Sequence, residues 1–266
     1  MYEFDYHRPT SLREAEDLAA TLEDAKLLAG GHTLLPTMKQ RLAAPANLID
    51  LGRIPELRGI ERSAQAVTIG AMTRHAEIAA SRDVREAVPA LANLADLIGD
   101  PHVRNRGTIG GSIANNDPAA DYPAACLALR ATIVTNRREY PADAFFTGLF
   151  ETALAEGEIV TRLSFPLPEK AAYAKFPHPA SRYALVGVFV AACGSEVRVA
   201  VTGAGSDGVF RWTAAEEALT GRFAAESLDG LAVSPDGLGS DIHADAAYRA
   251  HLIGVMTRRA VQAASR

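Results

Sequence analysis

Two glycine pairs, Gly30-Gly31 and Gly110-Gly111, constrain the folding of this chain more than any other feature. Glycine accepts positive φ and lets one backbone approach another, or an anion, with no Cβ in the way. The first pair ends the apolar run KLLAGG (26–31) and precedes HTLLPTMKQRL (32–42), which places it at the turn from a buried strand into a short helix. The second lies within RNRGTIGGSIANNDPAAD (104–121), directly ahead of the helical stretch YPAACLAL (122–129). A strand-to-helix turn is a common ligand position in folds that alternate the two elements.

The residues beside the pairs suit an anionic ligand. Thr33 adds a hydroxyl to the first loop, and the free N–H groups of the helix that follows point the same way. The spacing matches neither a Walker A loop nor Gly-x-Gly-x-x-Gly, and taken alone the turn is equally an ordinary tight one. In the second loop the hydroxyls of Thr108 and Ser112 and the amides of Asn115 and Asn116 suit a pyrophosphate, while Asp117 and Asp121 suit a sugar hydroxyl. A solvated turn in which an Asp or Asn caps the next helix is the plainer reading, but it leaves two glycine pairs in one chain unexplained.

Around these loops the pattern alternates. The segment SLREAEDLAATL (11–22) predicts a helix opened by a capping box, with the Ser11 hydroxyl on the Glu14 N–H and the Glu14 carboxylate returning to Ser11. With NLIDL (47–51) as a further strand, the first fifty residues form a small βαβ-type unit. A strand is predicted at 67–73, and one helix from Val84 to Ile98, because Val84, Val88, Leu91, Leu94, Ala95 and Ile98 share an apolar face. Residues 167–182 contain three prolines and little periodicity, and read as a linker. Beyond them, 184–193, 196–205 and 208–212 predict an antiparallel sheet, followed by a helix stopped by Gly221 and an amphipathic terminal helix over 246–265.

Composition limits the function classes. With 266 residues, 48% apolar and 22% charged, the chain has an ordinary globular composition and length for one to three domains. The balance of 27 Lys+Arg against 32 Asp+Glu gives −5 and argues against a nucleic-acid binder. Cys126 and Cys193 form no Cys-x-x-Cys pair, so no iron–sulfur cluster or thiolate-rich zinc site is expected in this chain. His7, His75, His102, His178, His243 and His251 show no metal-ligand spacing and receive no role. No signal-peptide pattern opens the sequence, and the longest apolar run has ten residues against the ~18 of a membrane span. The expectation is a cytoplasmic protein with no transmembrane segment.

AGGHTLLP (29–36) followed by RNRGTIGGSIANNDPAAD resembles the FAD-binding medium subunit of the molybdenum hydroxylases, the family of xanthine dehydrogenase, carbon monoxide dehydrogenase and bacterial aldehyde and nicotine enzymes. The resemblance extends over essentially the whole chain. It implies an α+β fold: a two-lobed FAD-binding domain of the PCMH type, with lobes at 1–56 and 57–168, and a small C-terminal α+β domain at 175–266 with an antiparallel sheet and helices. It implies that Leu28, Ala29, Gly30, Gly31, His32, Thr33 and Leu34 wrap the FAD pyrophosphate. Thr108, Gly110, Gly111, Ser112 and Asn115 would hold the phosphates and ribityl side, and Asp121 a sugar hydroxyl. Ile98 would pack on the adenine or flavin, Ile159 would lie near the dinucleotide, and Lys175 would stand close to the flavin. His32 is expected to be a non-covalent contact.

The same resemblance implies an electron-transfer subunit with no catalytic acid or base of its own. Its partners would be a small subunit with [2Fe-2S] clusters and a large subunit with the molybdenum cofactor, in a dimer of heterotrimers. Many members have Arg-Arg and an acid after the lysine, where this chain reads Ala180-Ser181-Arg182-Tyr183. Tyr183 would restrict access to the flavin, which leaves the electron acceptor open. A stand-alone FAD oxidase or dehydrogenase and a flavin-free assembly module are the alternatives. Gly30→Val and Gly111→Val are both expected to abolish flavin retention and leave the fold intact.

Overall fold

The computed structural model describes residues 1–266. The N-terminal lobe has strands β1 (Asp5–His7), β2 (Ala25–Leu28) and β3 (Asn47–Asp50) with helices α1 (Leu12–Thr21) and α2 (Leu34–Lys39) between them. The strands form a parallel sheet in the order β1-β3-β2, as strand–helix–strand connections demand. Ser11 caps α1 by accepting the Glu14 N–H at 3.2 Å. The return bond differs from the expected box. The Glu14 carboxylate accepts the N–H of Thr10, at 2.7 Å, in place of that of Ser11.

The second lobe has strands β4 (Ile60–Arg62), β5 (Ala66–Gly70), β6 (Thr132–Thr135) and β7 (Glu139–Pro141), a hairpin β8 (Phe146–Gly148) and β9 (Glu151–Thr152), and β10 (Val160–Pro166). Its antiparallel sheet runs β4-β5-β10-β6-β7. Six helices occupy the long excursion between β5 and β6: α3 (His75–Ala80), α4 (Arg82–Ala87), α5 (Pro89–Asp96), α6 (Pro101–Arg104), α7 (Ile109–Asn115) and α8 (Tyr122–Ala128). The single helix expected from Val84 to Ile98 is two helices, broken at Val88 by Pro89. Proline lacks the N–H that a continuing helix needs and starts the next one instead. The apolar face still runs through both pieces, so periodicity alone hides the break.

The C-terminal sheet is sequential and antiparallel: β11 (Lys170–Pro177), β12 (Ala184–Cys193), β13 (Glu196–Thr202) and β14 (Phe210–Arg211). The expectation of a linker at 167–182 is corrected here. Lys170–Pro177 pairs along its full length with β12, and the segment's prolines stand before the strand (Pro168), at its last residue (Pro177) and beyond it (Pro179), where a missing N–H costs no ladder bond. Helices α9 (Thr213–Gly221) and α10 (Ala246–Ala264) cover one face. The other face, with Tyr173, Phe189, Ala191 and Ala200, packs into the core of the second lobe beside Leu91, Ala124 and Leu127. Coverage on both faces explains why Ala184 to Ala192 is an unbroken apolar run rather than an alternating one.

Arg249 bolts α10 to this sheet. Its buried guanidinium donates to the carbonyls of Leu185 and Gly203 at 2.7 Å each and to Asp241 at 2.6 Å. Arg249→Met leaves those carbonyls without donors, an expected loss of about 3 kcal/mol. Thermal denaturation should show a midpoint lower by roughly 10 °C.

Candidate functional site

The two glycine loops are laid against each other. The first leaves β2 at Leu28, and Gly31 has φ of +75°. The second is stitched along the chain that leaves β5: the Gly110 N–H donates to Ala71 O at 2.8 Å, the Ile109 N–H to Thr73 O at 3.1 Å, and the His75 N–H to Gly107 O at 3.0 Å. A Cβ on Gly110 would lie 2.5 Å from that of Ala71, so only glycine allows this approach. Across the gap, a Cβ on Gly30 would lie 2.8 Å from Gly107 Cα. Thr108 caps α7 by accepting the Gly111 N–H at 3.2 Å.

Between the loops lies a cleft of about 630 Å³, a size suited to a large organic ligand. Ala29, Gly30, Gly31, His32, Thr33 and Leu34 form one wall. Thr108, Gly110, Gly111, Ser112, Asn115 and Asp121 form the facing wall, with Ile98 and Ile159 adding apolar surface. Of the sixteen residues singled out from the sequence, Leu28 and Lys175 do not reach the cleft. Leu28 lies beneath the first turn, close to Gly31, and Lys175 stands behind Asp121.

Asp121 is the most heavily partnered of the group. Its carboxylate accepts the Tyr173 hydroxyl and pairs with Lys175 Nζ at 2.9 Å; Lys175 also donates to Leu97 O at 3.1 Å. Both ionic side chains are almost fully buried, at 2% exposure for Lys175 and 5% for Asp121. Burial raises the Asp121 carboxyl above its ordinary range, and Lys175 and Tyr173 pull it back down. The two asparagines separate in role. Asn115 lines the cleft, whereas buried Asn116, at φ +42°, donates to Gly148 O and Glu151 O at 2.9 and 2.8 Å and holds the β8–β9 hairpin. Asp117 accepts the Ala119 N–H at 2.8 Å, and burial raises its carboxyl.

Met72 and the Leu154–Glu158 turn ahead of β10 also line the cleft, with no sequence signal that marks them, and His75, given no role from the sequence, lines it after β5. Tyr183, expected near the flavin, stands at the mouth with Ser181 and Arg182. Half-exposed Tyr183 has its hydroxyl pushed up by partial burial and by Asp117 and Asp121. His75 carries no local signal of a ligand; only the fold brings it to the cleft. No cluster of three or more His, Cys, Asp or Glu side chains gathers to hold a metal ion. Cys126 is buried, and that burial pushes its thiol up and keeps it inert.

Residues 2–168 match the family model described as the FAD-binding domain in molybdopterin dehydrogenase. This chain belongs to that FAD-binding family. The carbon monoxide dehydrogenase medium chain of Hydrogenophaga pseudoflava is 40% identical, over 98% of this chain and 96% of that protein. The nicotine 6-hydroxylase medium subunit of Paenarthrobacter nicotinovorans is 37% identical, over 96% and 95%. Reconstituted carbon monoxide dehydrogenase from Oligotropha carboxidovorans contains a chain that superposes with a TM-score of 0.91 at 35% identity, covering 99% of this chain and 98% of that one. The fold is that of the molybdopterin dehydrogenase FAD-binding chains, as the glycine motifs led one to expect. The matched segment contains both glycine loops and Asp121 but ends before Tyr173 and Lys175, which hold Asp121 from behind the cleft wall.

The residues present fit FAD. Each loop offers backbone where a side chain would intrude, and the facing wall carries hydroxyls and an amide for phosphate and sugar oxygens. Apolar patches at Ile98 and Ile159 suit the ring systems.

Proposed function

We propose that this chain is the FAD-binding, electron-transfer subunit of a cytoplasmic heterotrimeric molybdenum hydroxylase. The observation that carries the reading is the convergence of both glycine loops on one cleft, with the Cβ space of Gly30 already filled by the second loop's backbone. Support comes from relatives named as medium chains or medium subunits over nearly their whole length. The partners are a small [2Fe-2S] subunit and a large molybdenum-cofactor subunit, assembled as a dimer of heterotrimers. The substrate is a small one, of the class of CO, an aldehyde, a purine or an N-heterocycle, and it is oxidised in the large subunit.

Bound FAD supplies a carrier that accepts electrons from the clusters and passes them to an external acceptor. The chain's own work is to bind and shield it. Gly30, Gly31, Gly110 and Gly111 admit the pyrophosphate, Thr33, Thr108, Ser112 and Asn115 offer hydrogen bonds, and His32 is a non-covalent contact. Asp121 faces a sugar hydroxyl while Tyr173 and Lys175 fix its orientation from behind, so Lys175 acts through Asp121. Leu28 supports the first turn from below. Tyr183 screens the mouth.

Gly111→Val tests the site. A Cβ there meets only Thr108 Oγ1 at 3.0 Å and Ala29 Cβ at 3.2 Å, both small side-chain atoms. The expected result is an FAD dissociation constant raised at least about 100-fold, ~2.7 kcal/mol, with little change in melting temperature. The assembly is tested by purification from the native host. Three co-purifying subunits, cluster absorbance and FAD released into the acid supernatant are expected. Flavin left in the acid pellet of a single-subunit preparation would identify a covalent, self-sufficient oxidase, and a protein colourless after FAD addition an assembly module.

A further inference from the structure

His75 lies among the cleft residues but outside both glycine motifs. The residue is only 5% exposed, and Nδ1 has no hydrogen-bond partner in the protein. The ring centroid is 5.3 Å from that of Tyr122, whose buried hydroxyl also has no partner. The opposite edge, Nε2, lies 2.5 Å from where a Cβ on Gly107 would stand. The imidazole thus fills the space that a side chain on Gly107 would take, and both residues line the cleft. A buried polar group left without a partner costs about 1–3 kcal/mol, so a cleft-lining imidazole with no hydrogen bond to the protein points to a group that arrives with the ligand.

The charged and titratable groups facing the ring are His32 from the first loop, Arg104 from α6 and Tyr122 from α8. On its own helix, Glu77 is turned away and accepts the Arg74 N–H at 2.7 Å. No carboxylate is paired with the imidazole. In the ligand-free chain burial, then His32 and Arg104, hold it neutral, with its pKa lowered to about 4. A pyrophosphate between the loops reverses that balance: it brings negative charge to a ring that otherwise faces the Arg104 guanidinium, and it offers oxygens as acceptors.

Resting on the FAD reading above, we propose that His75 is a dinucleotide-binding residue that meets the anionic oxygens with its Nε2 edge, beside Gly107 on the cleft wall, and takes up a proton as FAD binds. The sign follows from linkage. A group neutral when free and protonated when bound makes binding tighter as pH falls through the pKa of the complex. For one proton the dissociation constant falls by up to about tenfold per pH unit. FAD itself does not titrate across the window concerned.

The test titrates the full chain with FAD, following quenching of flavin fluorescence, between about pH 5.5 and about pH 8.5, the range in which histidines switch. Wild type is compared with His75→Gln, which keeps an amide donor but cannot titrate, and with His32→Gln. The expected result is tightening towards acid pH in wild type and His32→Gln, and a flat profile in His75→Gln. A flat wild-type profile, or a slope that survives in His75→Gln, overturns the proposal while leaving FAD binding intact. No FAD binding by wild type at any pH would overturn the FAD reading and this proposal together. Should His75→Gln fail to fold, calorimetry of FAD binding in buffers of different ionisation heat counts the protons directly. Close to one proton taken up near pH 6 by both wild type and His32→Gln supports the proposal, and none overturns it.

Discussion

Gly30→Val should remove FAD binding and destabilise the chain in one step. A Cβ at position 30 lies 2.8 Å from Gly107 Cα and also meets the carbonyl of Arg106, and both obstacles are backbone that no rotamer change can move. The loops have to separate, which breaks the seating of the second loop along residues 71–75. Overpacking of this kind costs about 1–3 kcal/mol or more. The expected outcome is no measurable FAD retention together with a melting temperature lower by roughly 5–10 °C. This corrects the expectation that Gly30→Val and Gly111→Val act alike and spare the fold. At Gly111 the contacts, Thr108 Oγ1 at 3.0 Å and Ala29 Cβ at 3.2 Å, call for shifts of only a few tenths of an ångström, whereas at Gly30 the backbone of the other loop stands in the way. Thermal melts of the two variants without flavin would expose the difference, and equal midpoints would refute it.

Lys175→Met is expected to have the larger effect on stability. It leaves the buried Asp121 carboxylate with only the Tyr173 hydroxyl. Removing one partner of a buried ion pair typically costs about 3–5 kcal/mol. The loss should depend on pH with a definite sign. Without Lys175, burial holds the Asp121 carboxyl well above its unfolded value, so the folded variant favours the protonated form. A group whose folded pKa is raised contributes stability at low pH that is lost as pH rises. Urea midpoints for the variant should therefore fall between about pH 5 and about pH 7.5 relative to wild type. Adding Asp121→Asn should recover much of the loss at the higher pH. A variant whose deficit is independent of pH would mean that the lost packing, not the stranded carboxylate, is what matters.

The parts of the site that could be read from the sequence are those where a residue type has one dominant use. Two glycine pairs flanked by hydroxyls mark close backbone approach wherever they fall, and fourteen of the sixteen residues chosen around them meet at the cleft. The two that do not line it stand one layer back, Leu28 beneath Gly31 and Lys175 behind Asp121. Lys175 and Asp121 are 54 positions apart, and nothing local shows that the lysine sits behind the acid rather than beside the ligand. His75 was passed over because its role depends on an absent side chain at Gly107, a relation between two distant positions. The fold errors have the same character. The break at Val88 is signalled by Pro89, but an apolar face that continues through both helices outweighed it. The strand at Lys170–Pro177 was masked by prolines clustered around its ends, where they do no harm to pairing.

The strand Lys170–Pro177 ties the chain's inheritance to its mechanics. It lies just beyond the residues that match the FAD-binding family model, and it supplies Tyr173 and Lys175 to Asp121 and presses Tyr173 into the core of the second lobe. A crossover between relatives placed at the end of the matched segment would pair one parent's acid with another parent's lysine and tyrosine, across a core shaped by neither. The C-terminal sheet is thus a brace behind the cleft, holding the Asp121 carboxylate from a layer that does not itself line the cleft.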